Sequence, residues 1–260
     1  MKKTLLTLFM SSLLACFSLA GSVPAFAEEG VHLDKAPINI SDKASLRRGA
    51  KIFAENCFSC HSAKFMRFNR IAKDLDMSKS DVRKMMIFTR DAKGAPTKIG
   101  AVMKVAMDAA YQKRAFGTTV PDLSVEARAR GADWLYTYLR SFYIDPSRPT
   151  GANNAVFPKV GMPNILWKQQ GLQKAVYKTI VQEDGVKANV IDHMEIVVPG
   201  NLNQVQFDKY TADLVNFMVY LAEPIQNVRR SMGWKVLGFL VILFVFAYML
   251  KKEYWKDVHH

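Results

Sequence analysis

The chain has 260 residues, half of them hydrophobic and 23% charged. That is enough for one core of ordinary size with a membrane segment besides, and it excludes a chain too polar to fold. The formal charge of +13 points to anionic partners; the exported compartment read from the N-terminus excludes nucleic acid and leaves anionic lipid or acidic protein.

The first 27 residues read as a cleaved secretory signal. Lys2 and Lys3 form the basic part, residues 5–14 the apolar part, and Ala25-Phe26-Ala27 an A-x-A cleavage site before Glu28. Leu13-Leu14-Ala15-Cys16 resembles a lipoprotein box, a competing way to begin the mature chain. The A-x-A site is preferred because a second anchor stands downstream. With the cut after Ala27 two cysteines remain, Cys57 and Cys60, and no structural disulfide forms besides them. Setting aside Lys2 and Lys3, the juxtamembrane Arg229, Arg230 and Lys235, and a tail of net +1, the exported domain over 28–228 carries about +7.

Residues 28–40 have little pattern and read as an extended arm. Ser41-Asp42 can cap a helix, on which Leu46, Gly49, Ala50 and Phe53 follow at i, i+3, i+4, i+7. That helix runs into Cys57-Phe58-Ser59-Cys60-His61, which reads C-x-x-C-H. Two thiols at this spacing can each add to a vinyl group of haem, and the His beside them can bind the iron. A structural zinc site needs four ligands, and no second Cys pair exists. A thioredoxin-like dithiol needs a βαβ surround, which is absent.

After His61 the chain is basic and Met-rich to about residue 117. Residues 81–88 and 103–116 read as helices, and 91–99 as a loop holding Gly94 and Pro96. Val120-Pro121-Asp122-Leu123-Ser124 is a turn with a cap. From Ser124 one helix is expected, with Trp134, Leu135 and Tyr138 on a shared face. Asp145-Pro146 ends it, and 148–154 reads as a polar loop.

Residues 175–181 and 188–198 are rich in β-branched side chains and flank Glu183-Asp184-Gly185, a small β-hairpin. Residues 208–223 form an amphipathic helix ended by Pro224. Residues 236–250 are an unbroken apolar run, lengthened by Met232, Gly233 and Trp234 before it and Tyr254 and Trp255 after it. Lys235, Lys251 and Lys252 can snorkel. One transmembrane helix with its flanks is expected over 229–255, and a cytoplasmic tail over 256–260. The fold class is mainly α: a haem domain with a small hairpin and one C-terminal span.

His61 leaves one axial position open. His32 lies in the arm, His193 in the hairpin, and His259 and His260 beyond the span; there are also thirteen Met. Met162 stands out among these because Gly161 and Pro163 can fix a loop that turns its thioether inward.

Taken together, Cys57-Phe58-Ser59-Cys60-His61, Pro121-Asp122-Leu123-Ser124 with Arg128-Ala129-Arg130, Phe157-Pro158 with Gly161-Met162-Pro163, and the C-terminal span resemble the cytochrome c1 family in content and order. The run Asp133-Trp134-Leu135-Tyr136-Thr137-Tyr138-Leu139-Arg140 is similar to its proteobacterial branch. Where many members have Pro-Pro before Asp-Leu-Ser, this chain has Val120.

The resemblance implies one covalently attached haem c with His61 and Met162 as the axial pair. It implies that Arg130 pairs with a haem propionate and that Pro121, Leu123 and Trp134 line the haem. It further implies an electron-transfer subunit of a quinol:cytochrome c oxidoreductase in the bacterial inner membrane, with its haem domain in the periplasm. Its expected partners are cytochrome b, a Rieske iron–sulfur protein, a soluble or tethered c-type cytochrome, membrane lipid and a second copy of the complex. A stand-alone tethered cytochrome and a peroxidase-like haem enzyme are the other readings; the peroxidase needs an open axial site.

Overall fold

The computed structural model describes residues 32–91, 93–181 and 186–257. The signal expected over 1–27, with Cys16, lies outside them, as do Glu183, Asp184, Gly185, His259 and His260. The chain divides into Met1–His32 and Leu33–His260. In chain order the second unit forms α1 (Lys43–Asn56), β1 (Ala63–Arg67), α2 (Phe68–Asp74), α3 (Lys79–Met86), β2 (Val102–Met103), α4 (Ala109–Phe116), α5 (Glu126–Ala129), α6 (Ala132–Arg140), β3 (Phe142–Ile144), β4 (Ala152–Asn154), α7 (Trp167–Gln170), β5 (Gly171–Val181), β6 (Lys187–Pro199), α8 (Gln204–Ala222) and α9 (Gln226–Tyr254).

The centre of the domain is the pair α1 and α8. Asp42 starts α1 by accepting from the Ala44 and Ser45 N–H groups, each at 3.0 Å. Leu46, Gly49, Ala50 and Phe53, the face expected from their spacing, are all buried. Asn203 and Gln206 form a capping box that starts α8 four residues earlier than its apolar pattern suggests. The helices run antiparallel: Asn216 bonds Ser45 and Asn39 at one end, and Tyr210 bonds Asn56 at the other. They meet closely at Gly49, where a Cβ would lie 2.0 Å from the Asp213 carbonyl oxygen and 2.7 Å from Phe217 Cβ. Beside it Arg48 forks onto the Asp213 carboxylate at 2.6 and 2.9 Å.

Several sequence expectations change. The single helix expected from Ser124 is two, α5 and α6, because Gly131 sits at φ +90°, outside the helical region. Of the helix expected over 103–116 only α4 forms, between the Asp108 cap and left-handed Gly117. Met103 instead pairs with Ala63 across β2 and β1. The polar loop over 148–154 ends as β4, paired antiparallel with β3. Strands β5 and β6 pair antiparallel from Gly171–Pro199 to Val181–Lys187, beyond the residues expected, with irregularities after Leu172 and Val176. Of the arm expected over 28–40, residues 28–31 lie outside the described ones; residues 32–39 form no regular element, and the N–H groups of Asp34 and Ala36 tie it to α6 by donating to Thr137 Oγ1 and Asp133 Oδ1 at 2.8 and 2.9 Å.

Helix α9 has 29 residues, none of them buried, and a mean hydropathy of 2.1 in its most apolar window. At 1.5 Å per residue it is roughly 43 Å long, enough for a bilayer core and both interfaces.

Candidate functional site

The C-x-x-C-H segment continues the end of α1. Cys57 and Phe58 N–H both donate to the Phe53 carbonyl at 2.9 Å, and Cys60 and His61 N–H donate back to the Cys57 carbonyl at 3.1 and 2.9 Å. Phe58, between the thiols in sequence, is buried and packs against the rings of Phe53 and Phe68. It fastens the motif to the core. Cys57 and Cys60 face a cavity of about 370 Å³ beside α1.

The wall next to His61 is the segment expected to hold Pro121 and Leu123. Leu123 N–H donates to the Ser62 carbonyl at 2.8 Å, and Phe65 N–H donates to Ser124 Oγ at 3.0 Å. These bonds bring the Pro121 carbonyl 2.8 Å from His61 Nδ1. With the proton on Nδ1, Nε2 keeps a free lone pair. Burial pushes the imidazole pKa down, against the Pro121 hydrogen bond, so the ring is held neutral as a ligand must be.

Met162 comes to the same cavity in a loop held by two asparagines. Asn154, fully buried, accepts from the Val156 and Phe157 N–H groups and donates to the Tyr138 carbonyl at 2.7 Å. Asn153 Oδ1 accepts from Lys159 N–H at 2.8 Å. The Tyr138 hydroxyl lies 3.4 Å from Met162 Sδ, and burial raises its pKa.

Trp134 and Tyr138 stack with ring centres 4.9 Å apart. The Arg130 guanidinium lies 4.8 Å above Trp134 and 5.6 Å from the Phe157 ring. Among the described residues its ion-pair partner is Glu126, at 3.2 Å, and its side chain is 46% exposed. Cation and water therefore meet at this side of the cavity.

The structure thus brings together every site residue named from the sequence: Cys57, Cys60, His61, Pro121, Leu123, Arg130, Trp134 and Met162 all line one cavity. His32 and His193 are exposed and do not, and His193 Nδ1 lies 2.9 Å from Asp192. Tyr138 and Phe157 were missed as site residues. Tyr138 stands four residues after Trp134, one helical turn along the same face, and that spacing was the available signal.

The donor set fits a haem. Both thiols are free. Burial, and then the charge of Cys60, push the Cys57 thiol up to about 12, so it faces the apolar cavity as a neutral thiol. An imidazole and a thioether, two side chains able to bind iron, line it together, and the remaining walls are chiefly apolar. Among the described residues no cluster of three or more His, Cys, Asp or Glu offers a zinc site instead.

The model of the Cytochrome C1 family matches residues 34–258. A protein of Nitrosomonas europaea named ammonia monooxygenase gamma subunit is 47% identical over 247 residues, 95% of this chain and 97% of its own length. Cytochrome c1 of Allochromatium vinosum is 42% identical over 248 residues, 95% of this chain and 98% of its own length. Cytochrome b/c1 of Bradyrhizobium diazoefficiens is 25% identical over 252 residues, 86% of this chain and 34% of that protein.

Proposed function

This chain belongs to the cytochrome c1 family, and on that premise we propose that it is the membrane-anchored electron-transfer subunit of a quinol:cytochrome c oxidoreductase. The observation that carries the reading is the convergence of Cys57, Cys60, His61 and Met162 on one apolar cavity. Family members carry one covalently attached haem c, which when bound supplies a one-electron carrier.

The chain's own residues do the rest. Cys57 and Cys60 would hold the haem covalently, each as a thioether made by adding its S–H across a vinyl group. His61 would hold the iron through Nε2, its ring oriented by the Pro121 carbonyl. Met162 presents its thioether, steadied by the Tyr138 hydroxyl. With His61 and Met162 both given to the iron, no protein-free position would remain for small oxidants, which favours relay over peroxidase chemistry. Arg130, held over Trp134, offers a fixed cation to a propionate at the wet edge. No acid, base or nucleophile acts on a substrate in this subunit.

In this reading the haem domain stands in the periplasm, tethered by α9 in the bacterial inner membrane. It takes electrons singly from a Rieske iron–sulfur protein and passes them to a c-type cytochrome within a dimeric complex. The relative whose name joins b and c1, a third of which this chain covers, supports cytochrome b as the neighbour of α9. The decisive experiment is isolation of the full chain in mild detergent, with haem staining and identification of what accompanies it. Cytochrome b and a Rieske protein are expected. A haem-bearing chain isolated without either is a stand-alone tethered carrier, and co-isolation with a monooxygenase would place it as the name of the Nitrosomonas relative suggests.

A further inference from the structure

The exported domain's positive charge is concentrated in one segment. Residues 63–116 hold thirteen Lys or Arg and five Asp, a net of +8, so the rest of the domain is close to neutral. All thirteen cations are exposed. Among them stands Phe65, 80% exposed on β1, four residues after His61.

The part of this segment nearest the cavity is tied to its wall. Lys64 N–H donates to Asp122 Oδ2 at 3.2 Å and Phe65 N–H to Ser124 Oγ at 3.0 Å. Val105 N–H donates to Ser62 Oγ at 3.1 Å, which holds Lys104 beside the motif. Lys113 and Arg114 occupy the last turn of α4, whose final residue, Phe116, lines the cavity. We propose that Lys64, Phe65, Lys104, Lys113 and Arg114 form the docking surface for an acidic, soluble electron-transfer protein.

Charge sign alone would also suit anionic lipid, but the placement opposes it. The anchor leaves the domain beside Ser41, whose Oγ accepts from Asn227 of α9 at 2.9 Å. From there the 14 residues of α1 carry the chain roughly 20 Å to the haem motif. Headgroup attraction is screened within a Debye length of about 8 Å. A diffusing partner feels no such limit, because it comes to the face. Cations around an exposed aromatic ring suit such a partner: charge raises the encounter rate, and the ring supplies a desolvated contact.

The inference rests on the electron-relay reading, and the test separates the two. The full-length holoprotein is placed in neutral-lipid nanodiscs and reduced, and its oxidation by two soluble c-type cytochromes, one acidic and one basic, is followed by stopped flow. The acidic cytochrome is expected to react faster, with a rate falling steeply as salt rises. Changing Lys64, Lys113 and Arg114 together to Glu should slow it about tenfold or more at low salt and speed the basic one. Phe65→Ser should hasten dissociation with little change in salt dependence. Haem content and midpoint potential should be unaltered in every variant. If both rates are indifferent to the charge reversal while haem and potential stay normal, the docking surface is wrong and the relay reading stands. A wild-type holoprotein that passes no electron to either cytochrome removes the relay reading itself. Loss of binding to anionic vesicles with unchanged rates would make this a lipid face and overturn the proposal.

Discussion

Tyr138 and Met162 show how one hydrogen bond can tune the cavity. A hydroxyl donating to a thioether draws electron density from sulfur and makes it a poorer donor to oxidised iron. It thereby favours the reduced state. Tyr138→Phe keeps the ring that stacks on Trp134 and removes only that donor. Its midpoint potential is expected to fall by roughly 20–40 mV, since ~1 kcal/mol corresponds to roughly 40 mV for a one-electron couple. Met162→Leu removes the donor atom itself, so its potential should fall by something on the order of 0.1 V with the haem still attached. Potentiometric titration reads both, and an unchanged potential in Met162→Leu would exclude Met162 as the ligand. Cys57, Cys60 and His61 were legible in the sequence because covalent chemistry dictates their spacing. Met162 was set apart by its Gly and Pro neighbours but chosen through family resemblance, because tertiary folding decides which thioether reaches the cavity. Asn153 and Asn154, which hold its loop, were read as ordinary loop residues; their role lies in backbone bonds that no composition rule marks.

Between elements, the closest contact is α1 against α8 at Gly49. The methyl group of Gly49→Ala would have to displace the Asp213 carbonyl, 2.0 Å away, and that backbone cannot swing aside as a side chain can. Ala favours helix, by up to ~1 kcal/mol over Gly, but overpacking costs about 1–3 kcal/mol or more and dominates. Gly49→Ala should therefore lower the thermal midpoint of the holoprotein, and a rise would refute the contact. A second junction joins α8 to α9, where Arg229 forks onto Glu223, one arm at 3.0 Å and the other shorter. The Arg229 guanidinium holds the Glu223 carboxyl down at about 2, against an ordinary 4.5. A depressed carboxyl stabilises the fold above its unfolded pKa and ceases to as pH falls through the folded one. The difference in melting temperature between wild type and Glu223→Gln should hold steady above about pH 5 and vanish towards pH 2. A difference independent of pH over that window would assign the effect to shape instead of charge. Elements with strong periodicity, α1 and α8, were readable from the sequence; β1 to β4 were not, being two to five residues long, too short for an alternation to register.

At the scale of the whole molecule, the question is what α9 contributes to the haem domain. None of its residues is buried, and it adds none to the core. Its described ties to the domain are few, chiefly Arg229 with Glu223 and Asn227 with Ser41. Removing it costs those polar contacts and takes no residue from the buried core. A chain ended after Pro224 should therefore be recovered from the soluble fraction with haem attached and the same absorption spectrum. Its melting midpoint should lie close to that of the full chain. Such a chain should no longer co-isolate with cytochrome b, because the apolar surface available to a partner within the bilayer has gone with α9. The electron relay and the membrane attachment would then be separable properties, one built around Cys57 to Met162 and the other carried by a single helix. Recovery only as haem-free aggregate would show the reverse: that the domain depends on its helix for folding.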